Sequence, residues 1–467
     1  TSSKELIVKN GTFNNKELSF NNFQNFKKYS FNSYFNHTET DGYRDENEQQ
    51  QNNFTSEFRS SGEQVDQFFG LSFSEQIMST PSDRSESQLF SDRRGSDTPD
   101  DYINSEGISF IYGVDYSLND FSKFILNSSF RAKDSYSDLQ STAYPSYSDT
   151  SLTNYQFTPR FFHTSNLLSK ISKTTYGFDL QYADYKSYRK ETRDAIPLHV
   201  YDAWQTSQSL YFQNSLNLSN SIKFGTGFRI QRSKTGIGDH VDKNAPDYSA
   251  WTTIHNKFTD NELNYAANFG MDYEINNSTM FFARIGNGFR YPNIDDRIGG
   301  KGDTSFDLNT QKSNDYEIGS KLNYENFSSN ISFFLMDNEN EIAYDSDNYV
   351  NSNLPKTRRF GLEIGTENKI LKSFILQNNF TFTKAKYRSD PPTDGYSSTV
   401  YNDSPKLKDN DIPLVPQYSL DTNLNWKISN STNLITNVKF QDDMRMESDD
   451  ENFQNTKIPS YIIANLN

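Results

Sequence analysis

Alternation of apolar and polar side chains with a period of two residues recurs along the chain, and it constrains the fold more than any other feature. In the segment 316–324, one face carries Tyr316, Ile318, Leu322 and Tyr324, and the other carries Glu317, Gly319, Lys321 and Asn323. Segments 223–230, 264–273 and 418–427 repeat the pattern. Successive side chains of a β-strand point to opposite faces, so the pattern predicts strands with one apolar and one polar face.

Composition indicates which kind of β protein this is. With 38 Phe and 29 Tyr the chain is too aromatic for a solvated coil, yet only 33% of its residues are hydrophobic. The inner face of a soluble sandwich must pack densely with aliphatic side chains, whereas the polar face here carries Lys, Arg, Asp and Asn. No run approaches the ~20 apolar residues of a membrane-spanning helix. The sequence therefore favours an all-β fold, a transmembrane antiparallel β-barrel.

The connections between the predicted strands alternate in length. The short ones fall at 117–120, 219–220, 276–277 and 429–431. The long ones cover 77–106, 134–152, 188–204, 233–260, 292–313, 388–411 and 442–457. Short periplasmic turns and long extracellular loops alternate in this way in outer-membrane barrels, and pairing the segments gives roughly twenty strands. No helix of useful length is expected.

A distinctive segment lies in the second half. Residues 281–293 predict a strand that ends at a Phe-Arg-x-Pro corner, and residues 313–321 predict the strand that returns after a polar loop. Early in the chain, Gly11–Asn14 is expected to be the first barrel strand, and residues 29–35 lead into Thr40–Asp45. Together, in this order, the segments resemble the barrel of TonB-dependent outer-membrane receptors.

The resemblance implies an architecture and a mechanism. Residues 1–467 would form the β-barrel domain, with about 20 of the 22 strands found in such transporters, incomplete at the C-terminus and without the N-terminal plug domain. Loops of such receptors capture a scarce nutrient, and TonB, acting through the N-terminal segment, remodels the plug to release it. We expect a monomeric receptor in the outer membrane of a Gram-negative bacterium, in contact with outer-membrane lipid and specific for a ferric siderophore. Cobalamin and an oligosaccharide are the alternative cargoes.

Aromatic and arginine side chains near the predicted outer mouth are the candidate ligand-binding residues. Such side chains suit an anionic, aromatic iron chelate through stacking and charge. Packing of the loops and of an aromatic girdle explains most of them equally well, and Arg290 belongs to the corner, which we interpret as structural. The candidates are Arg44, Arg93, Arg94, Tyr144, Tyr147, Tyr201, Trp204, Trp251 and Arg290.

No catalytic motif is found, so no enzymatic activity and no cofactor are expected. The sequence has no Cys, no Gly-x-Ser-x-Gly and no phosphate-binding loop, and Gly286-Asn287-Gly288 is expected within a strand. A net charge of −15 argues against nucleic acid. A passive porin and a soluble β-sheet binding protein remain the alternatives.

Metal binding is not favoured either. His199, His240 and His255 are expected to be solvated loop residues, and the absence of His from 293–315 disfavours haem. Two acidic clusters, 97–101 and 449–451, could hold Ca²⁺, but solvated loop charge is the preferred interpretation.

Overall fold

The fold is almost entirely β-sheet. The computed structural model describes residues 2–140, 145–167, 169–240, 244, 257–298, 308–345, 350–371, 373–391 and 406–466. Within these residues the only helices are two short ones, α1 (Glu86–Ser91) and α2 (Ile294–Arg297). No helix in this part of the chain is long and apolar enough to cross a membrane.

Twenty-four strands are found in the described residues, and twenty of them belong to one sheet. In chain order they are β1 (Ser3–Asn10), β2 (Lys16–Phe26), β3 (Tyr29–Thr40), β4 (Gln49–Ser61), β5 (Val65–Ser79), β6 (Tyr102–Asn119), β7 (Ser122–Leu139), β8 (Ser146–Leu167), β9 (Lys170–Lys190), β10 (His199–Asn217), β11 (Ile222–His240), β12 (Phe258–Asn276), β13 (Thr279–Arg290), β14 (Gln311–Tyr324), β15 (Phe327–Glu339), β16 (Ile342–Asp345), β17 (Val350–Asn353), β18 (Thr357–Leu371), β19 (Phe374–Tyr387), β20 (Tyr418–Lys427), β21 (Asn433–Gln441), β22 (Met444–Arg445), β23 (Lys457–Ile458) and β24 (Tyr461–Leu466).

The chain divides into two compact units. The first comprises Thr1–His163, Thr175–Leu210 and Gln231–Leu263, and the second comprises Thr164–Thr174, Tyr211–Ile230 and Asn264–Asn467. In the first unit, β1 to β8 pair antiparallel in chain order. In the second, β12 to β15, β18 to β21 and β24 do the same. Two further hairpins, β16–β17 and β22–β23, lie in connections of the second unit. The prediction of about twenty antiparallel strands is confirmed.

Short and long connections alternate strictly within each unit. In the first unit, turns at 27–28, 62–64 and 120–121 alternate with the connections 41–48, 80–101 and 140–145. In the second, turns at 277–278, 325–326, 372–373 and 428–432 alternate with 291–310, 340–356, 388–417 and 442–460. Because neighbouring strands are antiparallel, the longer connections of a unit all leave from the same end of its strands, which we call the long-loop end.

Several strands run further toward the long-loop end than the sequence predicts. Segments 134–152, 188–204 and 233–260 are expected to be loops, but β7 to β12 extend well into them. β8 has 22 residues, about twice the 9–11 that cross a membrane. The prediction was wrong because polar sequence marks where lipid ends, whereas strand pairing continues beyond lipid and satisfies the backbone hydrogen bonds.

The predicted first strand is also misplaced. Gly11–Asn14 forms the turn between β1 and β2, where Phe13 and Asn14 have positive φ angles of 58° and 52°. A non-glycine residue in this left-handed region is typical of a tight turn and not of a strand. The first strand of the sheet is β1, over Ser3–Asn10.

The register confirms the alternation of the two faces. One row of directly paired residues crosses five strands of the second unit and is apolar throughout: Ile318, Phe333, Leu362, Phe382 and Tyr418. Ile318 remains 60% exposed and Phe333 54%. Large apolar side chains exposed in continuous rows are costly in water and suit a surface that contacts lipid. We call this the apolar face, and the opposite one the polar face.

Glycine and phenylalanine interlock across strands on the polar face. A Cβ atom on Gly319 would lie 2.5 Å from Cζ of Phe282, its cross-strand partner, and one on Gly361 would lie 2.7 Å from Cζ of Phe334. Each ring therefore lies where a side chain of the next strand would stand. Such pairing fixes the register of a sheet.

Candidate ligand-binding surface at the long-loop ends

Arg84 organises the loop between β5 and β6. Its guanidinium donates to the Asp92 carboxylate at 2.6 Å, to the Asp92 carbonyl oxygen at 2.8 Å and to the Asp97 carboxylate at 3.0 Å. Gln88 also donates to Asp97, at 3.0 Å. These hydrogen bonds, from Gln88 first and then from Arg84, hold the pKa of the Asp97 carboxyl below its usual range. The Arg84 side chain is only 5% exposed. This buried cation therefore joins the segment before α1 to Asp92 and Asp97, which follow α1.

Two of the predicted ligand-binding arginines attach this loop to its neighbours. Arg44, in the β3–β4 connection, donates from Nη2 to the Gly95 carbonyl oxygen at 2.8 Å. The guanidinium of Arg94 lies 5.5 Å from the ring centre of Phe13 and 5.6 Å from that of Tyr43. Cation–π contacts of this kind stabilise a loop and leave only part of the guanidinium for a ligand. The structure thus gives Arg44 and Arg94 packing roles.

Arg93 and the tip of α1 remain accessible. Arg93 is exposed, and within the described residues its guanidinium makes one long hydrogen bond, 3.4 Å from Nε to the Leu89 carbonyl oxygen. Phe90, three residues earlier, is 83% exposed. Phe90 was not among the residues predicted from the sequence, although a Leu-Phe pair within a Ser-rich segment was the available signal. Arg93 and Phe90 together present a charge and a ring on a loop that Arg84 holds in shape.

Tyr147 and Trp204 lie on the apolar face of the extended strands. Tyr147 pairs with Asp138 on the face that carries Tyr155 further down β8, and Lys190 Nζ lies 5.7 Å from its ring centre. Trp204 packs on Gly236, where a Cβ atom would lie 2.5 Å from its Nε1. Trp204, 37% exposed on this face, suits a role in the aromatic girdle better than contact with cargo inside a barrel, whereas Tyr147 is only 6% exposed and packs within the strands.

Tyr201 lies in a buried polar group with His199 and Asp239. The rings of His199 and Tyr201 stack at 5.5 Å and an angle of 5°. His199 Nδ1 is 2.8 Å from Asp239 Oδ2, and the Asp239 side chain is fully buried. The expectation of a solvated loop histidine was wrong for His199, because β10 continues through this position and pairs it with a carboxylate. His240 meets the expectation better, since its side chain is 59% exposed.

Arg290 closes the corner at the end of β13. Its Nη2 donates to both oxygens of Asp296, at 2.8 and 3.0 Å. Asp296 also accepts from the backbone N–H of Asn293, whose side chain accepts from the N–H of Asp296 in return. This capping box begins α2 directly after the predicted corner. The geometry agrees with the structural interpretation of the corner.

The acidic clusters are tied into the loops. Asp449 is fully buried and receives Arg445 Nη1 at 2.9 Å and the Gln454 N–H at 3.1 Å. Asp450 accepts from the Tyr387 hydroxyl at 2.5 Å. The interpretation as solvated charge was wrong for Asp449, and also for Asp101, which is buried. Among the described residues, no group of three or more His, Cys, Asp or Glu could hold a metal ion.

Three of the residues singled out in the sequence lie outside the described part of the chain. They are the candidate ligand-binding residues Tyr144 and Trp251 and the histidine His255. Of the other seven candidates, the first unit carries Arg44, Arg93 and Arg94 on two loops in contact with each other, Tyr147 on β8, and Tyr201 and Trp204 on opposite faces of β10. Arg290 lies in the second unit.

Strands with one lipid-compatible face, joined by short turns at one end and long loops at the other, define an outer-membrane β-barrel of the receptor and transporter class. The family model described as "TonB dependent receptor-like, beta-barrel" matches residues 9–467. The chain therefore belongs to the TonB-dependent receptor β-barrel family, whose members bind a ligand and interact with TonB at the outer membrane.

Solved structures have the same fold over the whole chain. The ferric-catecholate import receptor Fiu from E. coli K12 matches with a TM-score of 0.76 and 13% identity, over 99% of this chain and 74% of its own. The ferric yersiniabactin uptake receptor FyuA from Yersinia pestis matches with a TM-score of 0.79 and 14% identity, over 100% of this chain and 72% of its own. The siderophore receptor PiuA from Acinetobacter baumannii matches with a TM-score of 0.77 and 10% identity, over 99% of this chain and 74% of its own.

Proposed function

We propose that this chain is the barrel of a receptor that takes up a ferric siderophore with energy supplied through TonB. The observation that carries the proposal is the structural match over nearly all of this chain to receptors of ferric catecholate, ferric yersiniabactin and siderophores. The protein binds and carries its ligand and does not transform it chemically. It works as a monomer and receives this energy through contact with TonB.

The loop between β5 and β6 supplies the contact with cargo in this proposal. Arg93 offers a guanidinium to the negative charge of an iron chelate, and Phe90 offers a ring face to its aromatic groups. Arg84 holds the loop in shape, which reduces the ordering cost of binding. Of the candidates predicted from sequence, Arg93 is the one whose described surroundings leave it most available.

Ligand binding to the purified full-length receptor tests the cargo. Quenching of intrinsic tryptophan fluorescence is titrated with a ferric catecholate, ferric citrate and cobalamin. We expect saturable binding of one ferric chelate and none of cobalamin. The double variant Phe90→Ala/Arg93→Gln should raise Kd by about tenfold, because it loses one charge-assisted contact and one aromatic contact with the chelate.

A matched control lies on the same helix. Glu86 is exposed in the first turn of α1, and Glu86→Gln should leave Kd unchanged. Cobalamin binding without binding of any ferric chelate would replace the siderophore by the alternative cargo. Unchanged affinity in the double variant would remove the β5–β6 loop from the binding site and leave the cargo assignment standing.

A further inference from the structure

We propose that the long-loop end of β18 and β19 carries a docking surface for the phosphate groups of an outer-membrane lipid. The surface is a basic cluster on the apolar face, made of Lys356, Arg358, Lys384, Lys386 and Arg388. The proposal rests on the barrel fold and its membrane location. It is independent of the identity of the cargo.

On β18 and β19, the apolar face changes from aromatic to cationic side chains between one residue pair and the next toward the long-loop end. Leu362 pairs with Phe382, and the next pair on the same face joins Phe360 to Lys384. One further step pairs Arg358 with Lys386. Rings that suit acyl chains thus lie directly beside cations, at the level where lipid headgroups begin. A long Lys side chain can cover apolar surface with its methylene groups while its ammonium reaches the headgroup.

Two relationships leave this cluster short of negative charge. Arg358 and Lys386 are directly opposite each other, and like charges in that position repel. Lys384, between them and the rings, has no ion pair within the part of the chain that the structure describes. A phosphate group in front of Lys384 would neutralise the charge of Lys384 and relieve the repulsion between Arg358 and Lys386.

The carboxylates nearby offset this charge only in part. Lys356 pairs with Glu339 at 2.6 Å, Arg358 with Asp337 at 2.5 Å, Lys386 with Asp411 at 3.4 Å and Arg388 with Asp409 at 3.9 Å. The last two distances are long, and exposed pairs of this kind contribute little. Four of the five cations thus have a carboxylate partner and Lys384 has none among the described residues, in a chain whose net charge is −15. The cluster is therefore unusual within its own protein.

The first unit has the opposite charge at the equivalent step of its own apolar face. There Phe73 pairs with Ile108, and the next pair on that face joins Glu75 to Glu106, which in turn pairs with Asp134. A lipid phosphate would be repelled by these three carboxylates. Charge complementarity thus selects β18 and β19 as the place where a phosphorylated lipid docks.

A double variant with a matched control tests the proposal. Lys384→Gln/Lys386→Gln removes two cations from the cluster. Lys427→Gln/Lys439→Gln removes two cations from β20 and β21, where register places both on the polar face. Binding of bisphosphorylated lipid A to the full-length receptor in detergent is measured by native mass spectrometry, with dephosphorylated lipid A and inorganic phosphate as separate arms. Binding of the ferric chelate is measured in parallel as the test of folding.

We expect the cluster variant to bind bisphosphorylated lipid A roughly ten- to thirtyfold more weakly than the wild type. The control variant should match the wild type, and both should bind cargo normally. Equal binding of dephosphorylated lipid A, or equal loss in both variants, would overturn the proposal. Displacement of the lipid by millimolar inorganic phosphate would also overturn it, because the site would then recognise free phosphate.

Discussion

Phe282 on β13 lies across Gly319 on β14, its direct cross-strand partner, so that the ring fills the space of the missing side chain. A Cβ atom at Gly319 would meet both the ring and the Ile331 carbonyl oxygen of the next strand. Arg284 lies 5.1 Å and Lys321 5.7 Å from the ring centre. The contact locks three strands in one register on the polar face.

Gly319→Ala should therefore destabilise the barrel. The added methyl group meets backbone on one side and a covered ring on the other, and overpacking of this kind costs about 1–3 kcal/mol. The measurement is urea unfolding of the full-length receptor in lipid vesicles, followed by the mobility difference between folded and unfolded barrel on a gel. Gly225→Ala is the control, since a Cβ atom at Gly225 has no neighbour within 4 Å. Equal effects of the two substitutions would contradict the role of the contact.

Arg84→Met should open the loop between β5 and β6. It removes the donor shared by Asp92 and Asp97, and hydrogen bonds to charged groups contribute about 1.5–3 kcal/mol each. Hydrogen exchange of residues 80–101 should accelerate roughly thirtyfold while the strands stay protected. Arg93→Met, which removes an exposed guanidinium on the same loop, should change exchange little. Protection unaltered by Arg84→Met would mean that other contacts order the loop.

The same loop should lose protection in acid. The folded state holds the pKa of Asp97 below its usual value, about 3.9 in an unfolded chain. Its contribution to loop stability is therefore present above about pH 4 and is lost as the pH falls through the folded value. Hydrogen exchange of the loop, corrected for the intrinsic rate, should stay constant from pH 7 to about 5 and rise below 4. Asp97→Asn should reduce this dependence, and an identical acid profile in that variant would assign it to other groups.

His199→Ala and His240→Ala should differ sharply. Loss of the His199 imidazole leaves the fully buried Asp239 carboxylate without its hydrogen bond, which costs about 2–3 kcal/mol. His240 is exposed, so its replacement should have no measurable effect. Hydrogen exchange at the long-loop ends of β10 and β11 provides the comparison. Similar exchange in both variants would show that Asp239 finds another partner.

The sequence alone was sufficient for the architecture and insufficient for the site. Alternation of apolar and polar residues, as in the segment from Tyr316 to Tyr324, depends only on the strand period, so strands and faces were predictable. The lengths of β8 to β11 were not predictable, because strands can pair beyond the membrane without any apolar residue. The roles of Arg44, Arg94 and Tyr201 depend on contacts with residues far along the chain, such as Gly95, which local composition does not reveal.

Uptake of iron by living cells tests the central claim most directly. Cells that lack their other siderophore receptors and produce the full-length receptor are given a ⁵⁵Fe-labelled ferric siderophore, with and without TonB. Uptake should saturate with concentration, require TonB and stop when the proton gradient is collapsed. Uptake that is equal with and without TonB, and linear in concentration, would contradict the account and indicate diffusion through a passive pore.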